Sequence, residues 1–317
     1  MNRRIVAVVP SLAAPAELGR ELAALRAELA AVDGGLVWVH QGSAAPPAIG
    51  GARELCLELP SPVGFARAVH AGIAACGGAT ELVAVVNDDL EVEPGWAAAL
   101  VAALDGDAGL AAVQGVHLRA AEPGRLDGCG IGWNRWLQAV QIGDGLAPPA
   151  GGAPPFPVFG VSATGALYRR AALEAVAFAP GRPFDERLGS WYEDVDLAVR
   201  LRARGWRAAC VPAARARHRG SATGAGRPFD RARRIAGNRW LVVARLLGRR
   251  FPLALPKLLA RDLADVARAL AAGELRLASA YPAGWAVAAL RLASFARLGR
   301  PLVDPRELGA ERVGSAS

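Results

Sequence analysis

Lysine is nearly missing from this sequence. Lys257 is the only one among 37 basic residues, so the formal charge of +8 is carried by arginine. The excess of arginine and alanine reads first as GC-rich coding and only then as function. Cysteine is scarce too: Cys56, Cys76, Cys129 and Cys210 form no CxxC pair and no zinc spacing. That argues against a disulfide scaffold or a zinc module, and the four are expected as small buried residues in a reducing compartment. Long apolar runs are absent as well. The uncharged stretch Leu146–Tyr168 is broken by Pro and Gly and cannot form a membrane helix. At the N-terminus, Ile5–Val9 is too short for a signal peptide and no small-residue cleavage site follows it, so a cytosolic protein is expected.

What is present suits a folded enzyme. The 317 residues are 53% hydrophobic and 21% charged, which excludes wholesale disorder and allows one large domain or two modest ones. The charge is uneven: from Arg200 to Arg250 there are 15 arginines against Asp230 alone. Such a segment suits phosphates on a nucleotide, nucleic acid or anionic membrane, or is a solvated face. It carries no interleaved stacking aromatics and no recognisable nucleic-acid motif, so a nucleic-acid partner is not expected.

Apolar runs at Ile5–Val9, Leu36–Val39, Glu54–Leu59 and Leu82–Val86 predict strands. Pro15–Ala31 and Phe65–Ala75 predict helices between them. This alternation implies an α/β fold with a mostly parallel sheet flanked by helices, and ligands outside the carboxyl ends of its strands. That rule singles out His40–Ser43 and Asn87–Asp89. Leu146–Pro157 reads as a Pro/Gly-rich loop suited to a flap near the site. From Arg231 the pattern is helical, in Trp240–Arg250, Leu253–Leu270 and Trp285–Leu298. The expected division is a catalytic domain over 1–226, a helical extension over 227–300 and a frayed tail over 301–317.

Three clusters carry candidate chemistry. Asn87-Asp88-Asp89 follows a strand; adjacent carboxylates there suit Mg²⁺ or Mn²⁺, or simply an Asx turn. Trp191-Tyr192 precede Glu193, Asp194 and Asp196. Acids in a first helical turn are either caps or, projecting into a cleft, a general base. His218 lies among Arg215, Arg217 and Arg219, which would lower its pKa and favour the neutral, metal-binding imidazole.

In order, these segments resemble the family 2 glycosyltransferases, in particular their rhamnosyltransferase-like branch. The matching pieces are Val85–Trp96, Gly165–Arg170, Phe184-Asp185-Glu186, Glu193–Leu197, Arg200-Leu201, Gly205-Trp206, Val211-Pro212 and His218–Ser221. The resemblance implies a GT-A fold, a nucleotide-diphosphate sugar donor, a Mn²⁺ or Mg²⁺ cofactor and an inverting transfer to an acceptor hydroxyl. It places Asp89, Asp88 and His218 at the metal, and Asp194 with Glu193 at the catalytic base. Pro10, His40, Gly64, Asn87 and Asp88 fall on the nucleotide side, and Gly165, Ala166 and Trp191 on the acceptor side. Relatives act on sugar or lipid-linked acceptors in bacterial cell-surface polysaccharide or glycolipid synthesis.

The chain departs from the pattern in the nucleoside half. His40 stands where an acid is usual, His70 where an Asn is usual, and Pro10-Ser11-Leu12 lacks the usual polar pair. A degenerate, non-catalytic binder is therefore the alternative. A sugar-phosphate nucleotidyltransferase would carry a Gly/Arg-rich loop in the first turn, which Pro10–Gly19 lacks. The helical tail suits peripheral contact with the cytoplasmic membrane face, packing on the catalytic domain or contact with a second subunit. Oligomeric state is left open.

Overall fold

A computed structural model describes residues 1–12, 19–42, 46, 48, 51–220 and 228–295. Ser43, Ser221, residues 296–300 and the tail 301–317 lie outside them.

The first strands are those expected from the apolar runs. β1 (Ile5–Ser11), β2 (Gly35–Gln41), β3 (Glu54–Leu59) and β4 (Leu82–Val86) pair in parallel, in the spatial order β4-β1-β2-β3. Every residue of β1, β2 and β4 is buried, because helices cover both faces of the sheet. On one face Ile5, Ala7 and Val9 meet Leu22, Leu25 and Leu29 of α1 (Gly19–Ala31) and Trp96, Leu100 and Leu104 of α3 (Trp96–Gly106). On the other, Val6 and Val8 meet α2 (Phe65–Ala74), α4 (Arg170–Ala175) and Leu197 and Leu201 of α5 (Glu193–Arg202). The alternation is the period-2 pleat of a strand buried twice.

Beyond β4 the sheet turns mixed. It continues through β11 (Gly165–Arg169), β6 (Leu110–Arg119), β12 (Arg207–His218) and β10 (Phe156–Val158) to make ten strands, with β5 (Leu90–Val92) on β12 and β7 (Glu122–Gly128) on β6. β11 runs antiparallel to both neighbours, so its amino end lies at the same edge as the carboxyl ends of β4 and β6. β8 (Ile131–Trp133) and β9 (Ala139–Gln141) form a separate hairpin. The expected loop Leu146–Pro157 therefore ends inside β10, whose Phe156 pairs with Cys210.

β12 carries an irregularity that matters later. Val211 lies opposite Gly115, yet Arg215 lies opposite Val116, so Pro212-Ala213-Ala214 bulge out of the ladder. Proline has no N–H to donate, and a bulge is where a strand tolerates it. Gly115 makes room, since a Cβ there would sit 2.3 Å from the Ala214 carbonyl oxygen.

The helical extension comprises α6 (Pro228–Leu247), a 3-10 turn over Gly248–Ala254, α7 (Leu255–Ala271) and α8 (Leu275–Phe295). It shares a core with the sheet domain: Leu241, Val242, Leu246 and Phe295 pack with Trp133, Phe159, Tyr192 and Val199. No described helix is long and apolar enough to cross a membrane.

The basic stretch proves to be paired to distant acids. Arg207 bonds Asp107, Arg217 reaches Glu93, Arg219 reaches Glu21 and Arg239 bonds Asp262. Arg245 bridges Asp185 and Asp196, both nearly inaccessible, and Asp196 also accepts from Arg200. Part of the local charge excess is thus neutralised in space. Asp196 belongs to this buried network.

Candidate active site

The order β4-β1-β2-β3 places β4 and β2 on opposite sides of β1, so the crossovers leave a crevice at the carboxyl ends of β1 and β4. Two side chains meet there: the Ser11 hydroxyl donates to Asp88 Oδ2 at 2.6 Å. The end of β1, without the usual polar pair, supplies one polar anchor in Ser11. Pro10 is buried in β1, and His40 is buried at the end of β2, opposite Ser11 in register. Gly64, at φ 88°, precedes the first turn of α2.

Asn87-Asp88-Asp89 form the turn after β4. The Asn87 amide donates to the Thr164 carbonyl at 2.7 Å, and its own carbonyl accepts from the Leu90 amide. The turn is closed by backbone hydrogen bonds, and the Asp89 carboxylate faces a histidine. His218, at the end of β12, has Nε2 3.3 Å from Asp89 Oδ2 and donates from Nδ1 to Asp127 Oδ2 at 2.9 Å. The bulge of β12 sets this up by shifting the register before Ala216–His218 pair with β5. Asp127 lies on β7 beside Gly128, which is opposite His117. No sequence motif marked it.

Electrostatics overturn the expected neutral His218. Burial alone would lower its pKa, but the bond to Asp127 with Asp89 alongside raises it to about 9. The flanking arginines, expected to depress it, are turned to other acids. Burial would raise the Asp127 carboxyl, but the same bond holds it below its ordinary value. His117, wholly buried behind this group, donates toward the Gly165 carbonyl at 3.3 Å; burial lowers its pKa to about 4 and keeps it neutral.

Among the described residues no three His, Cys, Asp or Glu side chains make a ready cage for a metal. A hard divalent cation needs only one or two protein carboxylates when phosphates complete its shell. Asp89 Oδ1 and His218 Nε2 are both buried without a hydrogen-bond partner. An orphaned carboxylate oxygen beside a ring nitrogen whose other nitrogen is held by a carboxylate fits such a cation, which would take the place of the Nε2 proton that Asp89 otherwise stabilises.

The second cluster opens α5. Trp191 and Tyr192 both adopt positive φ, 65° and 73°, a conformation costly for large side chains. Tyr192 is the cap residue, and no side chain caps this helix, so the acids are not serving as its N-cap. Two contacts hold the strained pair. Asn238 Nδ2 of α6 lies within 3.2 Å of the carbonyls of Leu188, Ser190 and Trp191, and the Ala139 amide of the β8–β9 hairpin donates to the Tyr192 hydroxyl.

Asp194 follows, within hydrogen-bonding reach of the Val195 and Ala163 amides and the Ser162 hydroxyl. Burial raises its pKa against those bonds. Glu193 is raised from 4.5 to about 8 by burial and by Asp194, and its Oε2 has no partner. The folded state thus binds the Glu193 proton more tightly than the unfolded chain. Its stabilising contribution is complete below pH 4.5 and is lost as pH rises toward about 8. We expect Glu193→Gln to match the parent melting temperature at pH 5 and exceed it by at least ~2 °C at pH 8. A constant difference across that range in a calorimetric pH series would contradict the assignment.

The two clusters converge on one tripeptide. Ser162 and Ala163 hold Asp194, while the Thr164 carbonyl holds Asn87. Buried Gln114 fixes the tripeptide by accepting the Ser162 amide at 2.7 Å. Next along the chain, a Cβ on Gly165 would lie 2.3 Å from Leu90 Cδ2 and 3.0 Å from His117 Nε2, so only glycine fits beneath the carboxylate turn. Ala166 is fully buried in the sheet core and offers no surface to an acceptor. Trp191 remains partly exposed at the rim.

His70, expected near the nucleoside, is a buried brace. Its Nε2 accepts the Phe184 amide at 3.1 Å and its Nδ1 lies 3.1 Å from Glu186 Oε1. Burial lowers its pKa, consistent with a neutral ring protonated on Nδ1.

Residues 53–240 match the family described as Glycosyltransferase like family 2. The chain belongs to that family. No curated protein matches its sequence. Among solved structures, GalNAc-T7 with UDP, GalNAc and Mn²⁺ aligns at a TM-score of 0.54 and 13% identity, over 79% of this chain. The chain spans about half, 49%, of that protein's length. The mannosyltransferase PcManGT from Pyrobaculum calidifontis, in complex with GDP-Man and Mn²⁺, aligns at a TM-score of 0.49 and 15% identity, over 92% of this chain and 88% of its own. The fold of this family 2 protein is GT-A.

Proposed function

We propose that this glycosyltransferase is metal-dependent and inverting, moving a sugar from a nucleotide diphosphate to an acceptor hydroxyl. The observation that carries the reading is the convergence of Asp194 and of the Asn87–Asp89 turn, whose Asp89 faces His218, on the single loop Ser162–Thr164. Asp89, Asp88 and His218 would hold Mn²⁺ or Mg²⁺, which when bound neutralises charge growing on the departing diphosphate. Asp194 accepts the proton of the attacking acceptor hydroxyl. Its raised pKa makes it a better base than an exposed carboxylate. Glu193, protonated near neutrality, keeps a second negative charge away from Asp194. Pro10, His40, Gly64 and Asn87 lie on the nucleotide side of the crevice, and Trp191 borders the acceptor side. The resemblance to the rhamnosyltransferase-like branch supports a hexosyl or rhamnosyl donor, a sugar or lipid-linked acceptor, and a role in bacterial cell-surface polysaccharide or glycolipid synthesis. In that reading the protein works in the cytoplasm, with the helical extension against the inner membrane face.

A thermal-shift screen of UDP-, dTDP- and GDP-sugars with and without Mn²⁺ tests the donor. Stabilisation requiring one nucleotide and the metal together is expected, because a ligand that binds only the folded state raises its melting temperature. No shift with any pair would favour a non-catalytic protein. Asp127 holds the His218 ring, so Asp127→Ala is expected to weaken Mn²⁺ binding by about 10–100-fold in an electron-paramagnetic-resonance titration. Unchanged affinity would remove His218 from the metal's ligands.

A further inference from the structure

The helical extension contains a groove of about 380 Å³ that shares no residue with the crevice described above. It opens between α6, α7 and α8, with Gln138 of the β8–β9 hairpin as its remaining wall. The volume is that of a small-molecule site.

The groove's acids are already engaged. Asp262, buried at its floor, accepts from Arg239, from Trp240 Nε1 at 3.0 Å and from Trp285 Nε1 at 2.8 Å. Asp265 is shared by Arg261 and Arg268. Three lining arginines, Arg231, Arg239 and Arg261, thus face two carboxylates, and Arg268 outside the lining also holds Asp265, which leaves a surplus of one positive charge on Arg231. Arg231 is exposed at the groove wall and has no acid partner among the described residues. Arg239 and Arg261 each retain a buried Nε–H without an acceptor. Tyr281 adds a hydroxyl, and Ile235 and Leu277 an apolar flank. A cavity rich in donors, poor in free acceptors and cationic selects a ligand that is anionic and accepts several hydrogen bonds.

The geometry points to a second, phosphate-class anion site in this groove, contacted by Arg231, Arg261 and Tyr281 and independent of the metal crevice. The phosphate can belong to a soluble ester or to a lipid headgroup. The site stands whether or not the chain transfers sugar, because its residues are none of those assigned to the reaction.

Isothermal titration with inorganic pyrophosphate in EDTA, which keeps metal-bound phosphate out of the crevice, provides the test. Flotation on vesicles containing phosphatidic acid, against phosphatidylcholine alone, forms the second arm. Pyrophosphate binding weakened at least tenfold by Arg231→Ala and by Arg261→Gln supports a soluble phosphate ligand. Flotation requiring phosphatidic acid and lost in Arg231→Ala, without pyrophosphate binding, supports a headgroup. Arg231 is exposed and Arg261 is secured only by one shared carboxylate, so neither change threatens folding; unchanged circular dichroism confirms it. No binding in either arm, or binding indifferent to both substitutions, overturns the proposal.

Discussion

Asp194→Asn is expected to lower kcat for sugar transfer by about 10²–10⁴, the range typical of removing a positioned general base. The amide retains the size of the carboxylate, its oxygen can still accept from the Val195 amide and its NH₂ can donate to the Ser162 hydroxyl, so the loop and helix should remain in place. Donor-dependent thermal stabilisation and Mn²⁺ affinity should therefore match the parent protein. That combination separates a lost base from a damaged fold. A variant that folds and transfers sugar at the parental rate would exclude Asp194 as the base. Asp196, two residues on, is the contrasting acid: it faces Arg200 and Arg245 and has no surface at all.

The second large effect concerns stability. Arg245→Met is expected to cost about 3–5 kcal/mol, because removing one partner of a buried ion network strands the charges left behind. Arg245 is the group that joins Asp185 to Asp196, which otherwise keep only half-exposed Arg187 and buried Arg200, and its guanidinium also stacks over Phe178 and Phe295 at 5.5 and 4.5 Å. Denaturant titration should show a lower midpoint with an unchanged slope. Arg200→Met, which leaves Arg245 on Asp196, should cost less. Equal and small losses for both would mean that water enters the network and screens it.

The fold's first half was legible because β1, β2 and β4 are buried on both faces and read as apolar runs, while edge strand β3 shows in the alternation of Glu54–Leu59. The short β8, β9 and β10 contain Gly, Pro or exposed residues and have no such signature. β12 is a subtler case. Its end alternates buried Ala214 and Ala216 with outward Arg215 and Arg217, a clear strand period hidden by the conspicuous charge. The carboxylate turn and the acids of α5 were legible as ordered motifs. Asp127 was not, because it meets His218 across 91 residues of chain. The same limit applies to Arg245, whose partners lie 49 and 60 residues away. His70 shows the converse: an unusual residue in a familiar motif invites a ligand role, and only the contacts with Phe184 and Glu186 reveal a brace.

The amide of Asn238 bears on how such a protein can change over evolution. It is the side-chain link by which α6 holds the three carbonyls before Tyr192, and therefore the entry to the helix that presents Asp194. The extension is then no interchangeable module. Transplanting the extension from a relative without this amide would also release the backbone at Trp191 and Tyr192, so such chimeras should lose turnover even where both halves fold. Selection acting on the helices for a new ligand must keep that one amide in register, which ties recognition and rate to a common lineage of substitutions.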